Sequence, residues 1–332
     1  MQIRVDIFTK SRDLPEINSN NLFQSKTMFA LYENTPGMRP YMAVAFDEAG
    51  NVAGHLLASI CRRKTWIPPF IYNHGVVLGC GDSYSRDNKD SADNTATENE
   101  IFGKLLSALT FKLRSCTSYI EFCNMSRKMF GYRQFRNAGY FPVHWMSVSN
   151  SLHSMPPEER LSEKTKKRIE KSYNRGLLTE EVRSDNDIDA FYKLLRSHSR
   201  MKPRRYVPHI SFFKGLQKCK NARMFITKYK NKAIGCYACA FYDGNAYLWY
   251  SAFLRKSFAL LHPDTMTVWH AIKYAYDNNC SHIVFMNVGL PFRRNHFREF
   301  ILKFGGKPIG TYRWFRCSNK IINKILSRIY RD

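Results

Sequence analysis

The sequence predicts a mixed α+β protein built as two tandem units, each a mixed sheet flanked by helices. Three observations carry this: one order of elements occurs twice, a proline pair followed by a basic helix separates the two occurrences, and the positive charge is concentrated in the second. With 332 residues, 44% of them apolar and 14% aromatic, the chain has enough hydrophobic surface to build two cores of ordinary size.

In the first occurrence, "YMAVAFDEAGNVAGHLLASI" reads as two apolar strands around a turn at Asp47–Gly50, since turn residues interrupt aliphatic runs. In the second, "MFITKYKNKAIGCYACAFY" repeats the pattern, and Gly54 and Gly235 fall at matching places early in the second strand. Each copy then reaches a helix, "ENEIFGKLLSALTFKL" and "TMTVWHAIKYAYDNN", whose apolar positions recur at three and four residues. A strand follows each: "SYIEFCNMS" and "SHIVFMNVG", sharing Phe-x-Asn through Phe122 and Asn124 in one and Phe285 and Asn287 in the other. A second helical segment running to glycine closes each copy, "KMFGYRQFRNAGYFPV" and "FREFILKFGGKPIG".

The glycines are 181 positions apart and the phenylalanines 163, so the register slips by 18 residues. The polar stretch "GCGDSYSRDNKDSADNTATEN" accounts for the slip as a loop inserted in the first copy. Pro156 and Pro157 then break the chain, and the basic helix ends near Gly176. The expected partition is residues 1–150 for the first unit, 151–176 for a linker carrying the basic helix, 177–316 for the second unit and 317–332 for a C-terminal amphipathic helix.

The formal charge is +25, and its distribution is uneven. Residues 1–150 hold 17 basic and 13 acidic side chains, a net of +4, whereas residues 151–332 hold 35 and 14, a net of +21. Such asymmetry points to an anionic partner: RNA, a nucleotide-bearing donor, an acidic carrier protein or an anionic membrane. No run of 18 apolar residues spans a membrane, and "MQIRVDIFTKSRDLPEI" lacks a secretory core, so a cytoplasmic protein, peripheral at most at the inner membrane face, is expected. Nine cysteines without paired zinc spacing argue against a disulfide framework. Cys236 and Cys239 sit three apart on an expected strand, on opposite faces, and read as buried thiols. No metal motif such as HExxH is present, and a DNA regulator lacks a helix-turn-helix or zinc-finger signature.

The order strand, turn, strand, helix, strand, helix-to-glycine resembles the acyltransferase fold called GNAT, and two copies around a basic helix resemble the Fem peptidyltransferases and FemAB-like acetyltransferases. The residues that carry the likeness are "KTKKRIEKSYNRG", "FYKLLRSHSRMKPRRYVP", "LWYSAFLRKSFALLHPDTMTVWHAIKYA" and "FREFILKFGG". It covers about residues 160–310 and, more weakly, 1–150. The resemblance implies acyl transfer to an amine, with no tightly bound cofactor and with acyl-CoA, an acyl-carrier protein or aminoacyl-tRNA as co-substrate. Two departures leave the donor open. Where Fem sequences place a lysine after phenylalanine near the end, this chain has Ile301, and "FLRKSFALLHPDT" holds none of the glycines of the GNAT pyrophosphate loop.

Transfer of an acyl group needs a deprotonated amine, donors near the developing oxyanion and a place for the donor's anionic handle. In "RKSFALLHPDT", Asp264 or Thr265 is expected to cap the helix, whose amides with Arg255 and Lys256 would hold a phosphate. His262 is a candidate base or a simple pre-proline turn. Asn287 at its strand end would orient a carbonyl or make a structural bond repeated at Asn124. Arg293, Arg294, Arg298 and Lys303 are candidate anion ligands. His296 and Glu299 share a helix face, as a dyad or a surface pair.

Lys164, Lys167, Arg168 and Lys171 recur at helical spacing, and "RMKPRRY" adds Arg200, Lys202, Arg204, Arg205 and Tyr206; together they read as a polyanion surface. The tail "NKIINKILSRIYRD" stripes Ile321, Ile322, Ile325, Leu326 and Ile329 among Lys320, Lys324, Arg328 and Arg331. It is expected to dock onto its own domain, with an anionic membrane the other use. The function the resemblance implies is N-acyl or aminoacyl transfer to an amine, on a cell-envelope precursor or lipid-linked molecule. The alternative is a non-catalytic protein that holds RNA or anionic lipid.

Overall fold

The structure is a computed structural model, and it describes residues 3–65, 68–79, 92–123, 125, 129–199, 206–286 and 288–330, apart from the side chains of 92–97. In chain order its elements are β1 (Arg4–Phe8), α1 (Lys26–Glu33), β2 (Met38–Phe46), β3 (Val52–Lys64), β4 (Ile71–Leu78), α2 (Ala92–Arg114), β5 (Tyr119–Cys123), α3 (Tyr132–Asn137), β6 (Phe141–Ser151), α4 (Glu163–Asn174) and β7 (Leu178–Glu181). They continue with α5 (Asp185–Ser199), α6 (Ile210–Gln217), β8 (Ala222–Tyr229), β9 (Lys232–Tyr242), β10 (Asn245–Phe253), α7 (Pro263–Asp277), β11 (His282–Phe285), α8 (His296–Leu302), β12 (Lys307–Cys317) and α9 (Lys320–Ile329).

Both hairpins of the repeat form where the turn chemistry places them. Between β2 and β3 the Asp47 side chain accepts from Asn51 N at 2.8 Å, and Gly50 takes a left-handed φ of +80°. Between β8 and β9 the two turn residues Lys230 and Asn231 both have positive φ, 46° and 61°, as a two-residue hairpin with matching twist requires. Between β9 and β10 Asp243 and Gly244 do the same.

The chain divides into two compact units, Met1–His144 with Thr311–Asp332, and Trp145–Gly310. In the first, the strand order is β1-β2-β3-β4-β5-β12. Its neighbours pair antiparallel except β4 with β5, which is parallel. In the second, the order read from the opposite edge is β7-β8-β9-β10-β11-β6, again antiparallel throughout except for β10 with β11. The repeat read from the sequence is therefore a repeat of sheet topology. The copies have exchanged their last strand: β6 follows α3 of the first copy but pairs with β11, and β12 follows α8 of the second but pairs with β5. The sequence-based partition does not anticipate this exchange. The basic helix α4 belongs to the second compact unit, and α9 to the first.

In the first unit, α2 lays Ile101, Phe102, Leu105, Leu106, Leu109 and Leu113 on the sheet, and β12 adds the fully buried Trp314, stacked on Phe135 at 4.6 Å. In the second, α7 presses Met266, Val268, Trp269, Ala271, Ile272 and Ala275 against the sheet. Cys236 and Cys239 are both buried there; Cys236 Sγ faces the Phe191 carbonyl of α5 at 3.8 Å, Cys239 packs into the core beneath α7, and burial raises both thiol pKa values. Helix α9 does not dock its isoleucine stripe: Ile321, Ile322, Ile325 and Ile329 are all exposed, and only Leu326 turns partly inward. Among the described residues no helix is long and apolar enough to cross a membrane, and no group of His, Cys, Asp and Glu side chains is arranged to hold a metal ion.

Candidate functional site

The parallel strand pair distinguishes the two units. In the first, β4 and β5 stay paired from His74/Tyr119 to Leu78/Cys123, and Gly79 N extends the ladder to the Cys123 carbonyl at 3.1 Å. In the second, among the described residues, β10 and β11 pair from Asn245/His282 to Leu248/Phe285. The register of β10 against β9 shifts between Leu248 and Tyr250, which places a bulge at Trp249. From there to Phe253 the ladder of β10 runs to β9. A bulge re-aims a strand, and from the C-terminal end of β10 the chain passes through Leu254 into Arg255 and Lys256.

At that end lies a pocket of about 510 Å³. Three elements of the second unit build it. The loop after β10 and the first turn of α7 contribute Arg255, Lys256, Ala259, His262, Asp264 and Thr265; α4 contributes Thr165 and Arg168; α8 contributes Phe300, Lys303 and Phe304. The spacing of the last three puts them on one helical face, while Ile301 between them is wholly buried in the core. Lys303, two positions later, lines the pocket.

The head of α7 is held in an unusual conformation. His262 takes φ 45° and ψ 53°, left-handed backbone that a non-glycine residue adopts at a cost. Pro263 at the first helical position disfavours the right-handed alternative for the residue before it, and Met266 N closes the first turn onto the His262 carbonyl at 3.0 Å. Helix α4 grips the segment before it: Ser172 Oγ lies 3.1 Å from the Leu261 carbonyl, and Arg175 donates to the Leu260 carbonyl at 2.6 Å. The expected cap at Asp264 or Thr265 is thus displaced to His262. Asp264 sits inside the first turn, where its Oδ1 accepts from Thr265 N at 2.9 Å and its Oδ2 is 3.4 Å from Arg255 Nε. A carboxylate in the first turn is favourable to the helix dipole, and here it also orients one pocket cation. His262 has its pKa lowered by partial burial and then by the nearby Arg168 charge, so the imidazole is neutral at neutral pH.

Four cations, Arg168, Arg255, Lys256 and Lys303, therefore meet one carboxylate around the amino end of a helix. That arrangement suits a phosphate-bearing group. Of the residues expected from sequence, His262, Arg255, Lys256, Asp264, Thr265, Lys303 and Arg168 are brought together. The arginines before and on α8 are not. Arg298 is engaged by its own loop: it donates to the Leu290 carbonyl at 2.8 Å and the Arg293 carbonyl at 2.9 Å, so it braces the backbone and is not an anion ligand. Arg294 Nε pairs with Glu299 at 3.0 Å, and His296 Nδ1 lies 3.6 Å from the same carboxylate. His296, with its side chain 80% exposed, is part of a surface cluster and not of a buried dyad. Arg293 is exposed in the same loop and does not line the pocket.

On α4 the expected basic face splits. Lys164, Lys167 and Lys171 are exposed, whereas Arg168 is half-buried and lines the pocket, because Thr165, Ile169 and Ser172 form the inward face. Tyr206 is half-buried away from the pocket lining. Asn287, Asn124, Arg200, Lys202, Arg204, Arg205 and Arg331 lie outside the described residues. Sequence reasoning missed Thr165, Phe300 and Phe304, although the last two are visible as aromatic neighbours of Lys303 at three- and one-residue spacing. It also missed the bulge at Trp249, for which the sequence carries no signal.

Residues 160–294 match the family model described as an acetyltransferase (GNAT) domain. A comparison with curated proteins found no match. Among solved structures, the fold is similar to that of FemX, at 11% identity and a TM-score of 0.60, covering 92% of this chain and 94% of that one. It is similar to the C-terminal domain of a putative lysylphosphatidylglycerol synthetase from Agrobacterium fabrum, at 11% identity and a TM-score of 0.58, covering 92% and 91%. A tandem GNAT protein from the clavulanic acid biosynthesis pathway matches at 9% identity and a TM-score of 0.53, covering 89% and 88%. At these identities the likeness is one of fold.

Proposed function

From the match of residues 160–294 to the GNAT acetyltransferase domain model and the likeness of the fold to FemX, we propose that the protein is an N-acyltransferase. In this reading the pocket at the head of α7 receives the phosphate-bearing handle of an activated acyl donor. The observation that carries it is the convergence of Arg168, Arg255, Lys256 and Lys303 on the first turn of α7, beyond the C-terminal end of β10. The cations fix the handle, and the acyl arm would run from the pocket alongside β10. Holding the thioester in this way turns a bimolecular reaction into an oriented one.

The chemistry then needs no covalent enzyme intermediate. The acceptor's amine nitrogen attacks the acyl carbonyl carbon, the C–N bond forms, the C–S bond breaks, and the proton lost from nitrogen ends on the departing thiol. His262 stands at the anion end of the pocket, so we assign it to the handle and not to the reacting nitrogen. Its neutral imidazole and strained backbone set the shape of the phosphate cradle. The four-cation pocket is the feature that supports acyl-CoA or an acyl-carrier protein as donor, with aminoacyl-tRNA, whose terminal phosphates are also anionic, as the other member of the class. The acceptor we propose is an amine on a cell-envelope or lipid-linked molecule, a reading supported by a fold neighbour named as a lysylphosphatidylglycerol synthetase.

The test is mass spectrometry of the purified chain incubated with a panel of acyl-CoA, acyl-carrier and aminoacyl-tRNA donors and amine acceptors, with the Lys303→Ala and Arg168→Ala variants in parallel. A donor-dependent amide product, weakened in both variants, is expected. Donor binding that is insensitive to both substitutions would remove the pocket from the reading. Tight RNA binding with no product from any donor would favour a non-catalytic polyanion binder on the same fold.

A further inference from the structure

Helix α9 exposes an apolar stripe that the first unit leaves uncovered. Its fixed side is clear: Asn323 Nδ2 donates to the Gly139 carbonyl at 2.9 Å, Asn323 Oδ1 accepts from Cys317 N at 2.8 Å, and the Tyr330 ring stacks on Phe141 at 5.8 Å with an interplanar angle of 12°. With about 100° between successive residues, these anchors define the inward face. Ile321, Ile322, Ile325 and Ile329 occupy an arc turned away from it and are 72%, 49%, 53% and 66% exposed. Lys320, Lys324 and Arg328 follow one another at four-residue spacing along one border of that arc, and the helix contains no acidic residue.

The topology adds to this surface. Ser318, just before α9, bonds to Thr117 and Ser118, and Ser118 N in turn bonds to the Asn73 carbonyl at 2.8 Å. The start of β4, the end of α2 and the start of α9 therefore share one end of the first unit's sheet. Phe70, Ile71 and Phe111 belong to that end and are exposed, with the Arg114 guanidinium 4.4 Å from the Phe111 ring centroid. We propose that α9 is a membrane-surface helix, lying flat on an anionic lipid bilayer with its isoleucines among the acyl chains and Lys320, Lys324 and Arg328 at the phosphate level. Charge complementarity selects this occupant over a second copy of the chain, because facing copies of α9 would bring like-charged rows together with no carboxylate to offset them. The inference does not depend on the acyl-transfer reading.

The test is co-sedimentation of the full chain with large vesicles of phosphatidylcholine alone or mixed with phosphatidylglycerol, at roughly 0.15 M salt. The parent is expected to bind the anionic vesicles and not the neutral ones. Ile325→Asp with Ile329→Asp should lower the partition coefficient about a hundredfold, since two isoleucines leave the acyl layer, with the thermal unfolding curve unchanged because both side chains are already in solvent. Ile325→Leu with Ile329→Leu should retain binding. Three outcomes overturn the proposal: no sedimentation with anionic vesicles, equal sedimentation of the aspartate variant, which would give the effect to general positive charge, or a parent dimer in solution that the aspartate variant dissolves without any vesicle binding.

Discussion

Replacing Gly235 by alanine sets a methyl group against the underside of α7, and the surroundings give it little room. A Cβ built at this position overlaps Thr267 Oγ1, and it lies 3.3 Å from Thr227 Cβ and 3.4 Å from the Pro263 carbonyl oxygen at the head of the helix. Thr267 is wholly buried, and its hydroxyl is 2.8 Å from Thr227 Oγ1. Two relaxations are open. Rotating Thr267 breaks a buried hydrogen bond, at about 1 to 3 kcal/mol, and lifting the helix from the sheet costs about 1 to 3 kcal/mol of overpacking. Alanine's smaller unfolded-state entropy returns about 0.5 kcal/mol, so by either relaxation the expected net destabilisation is about 0.5 to 2.5 kcal/mol.

The reasoning is checked by a double-variant cycle. Thr267→Ala vacates the contested space, and Thr227 keeps a partner in Thr179 Oγ1 at 2.9 Å. Combining the two substitutions should therefore cost less than their sum, by about 1 to 3 kcal/mol. Urea unfolding followed by circular dichroism and tryptophan fluorescence reads this out, with the two units fitted as separate transitions if the probes do not coincide. Gly235→Ala within about 0.5 kcal/mol of the parent, the ordinary scatter of a neutral substitution, or strict additivity in the cycle, would refute the steric account.

Other consequences are equally accessible. Lys303→Ala and Arg168→Ala should each weaken donor binding roughly 10- to 100-fold, mainly through KM because the handle is held alike in ground and transition states, while Arg293→Ala leaves donor binding unchanged. Arg298→Ala should instead lower stability by about 1 to 3 kcal/mol, measured by urea denaturation, because the carbonyls it braces lose their donor. Burial lowers the pKa of His74 to about 3 and of His270 to about 4, the latter despite a weaker opposing effect of Asp277. An unfolded histidine takes up a proton near pH 6.5, so the unfolded state binds more protons below that value. Stability should therefore be fully present above about pH 6.5 and fall as pH drops toward 4 and 3, and His74→Gln should flatten the slope of the urea midpoint against pH. Trp314→Ala should destabilise the first unit by about 3 to 5 kcal/mol, seen as a downward shift of its melting transition.

The hairpins, the apolar part of α2, α7 and the strands β5 and β11 were legible because turn residues and apolar periodicity are local properties, whereas the polar start of α2 from Ala92 was expected to belong to the inserted loop. The head of α7 was legible only in part: Asp264 or Thr265 was expected as its cap, whereas the cap is His262 and Pro263 opens the helix. The last strand of each copy was not legible. "GYFPV" reads as the tail of a helical segment, and nothing in it says that β6 will pair with β11 of the other copy. The arginines around α8 look like anion ligands in sequence, yet carbonyls of residues 288–293 take up Arg298, a backbone demand that no side-chain pattern reveals. In α9 the isoleucine stripe was visible at once. Which way it faces depended on Asn323, a single polar residue that ties the opposite side to Gly139.

The exchanged strands bear on how the chain is made. When the first 144 residues have left the ribosome, β5 still has an open edge and the core still lacks Trp314, which arrives only with residues 311–332. The second unit, continuous from Trp145 to Gly310, has all its strands in hand first, although it is synthesised later. A fragment cut at residue 150 would strand β6 without β11 and leave β5 without β12, so neither half is a natural unit of expression. The amino-terminal unit is complete only once residues 311–332 have been made.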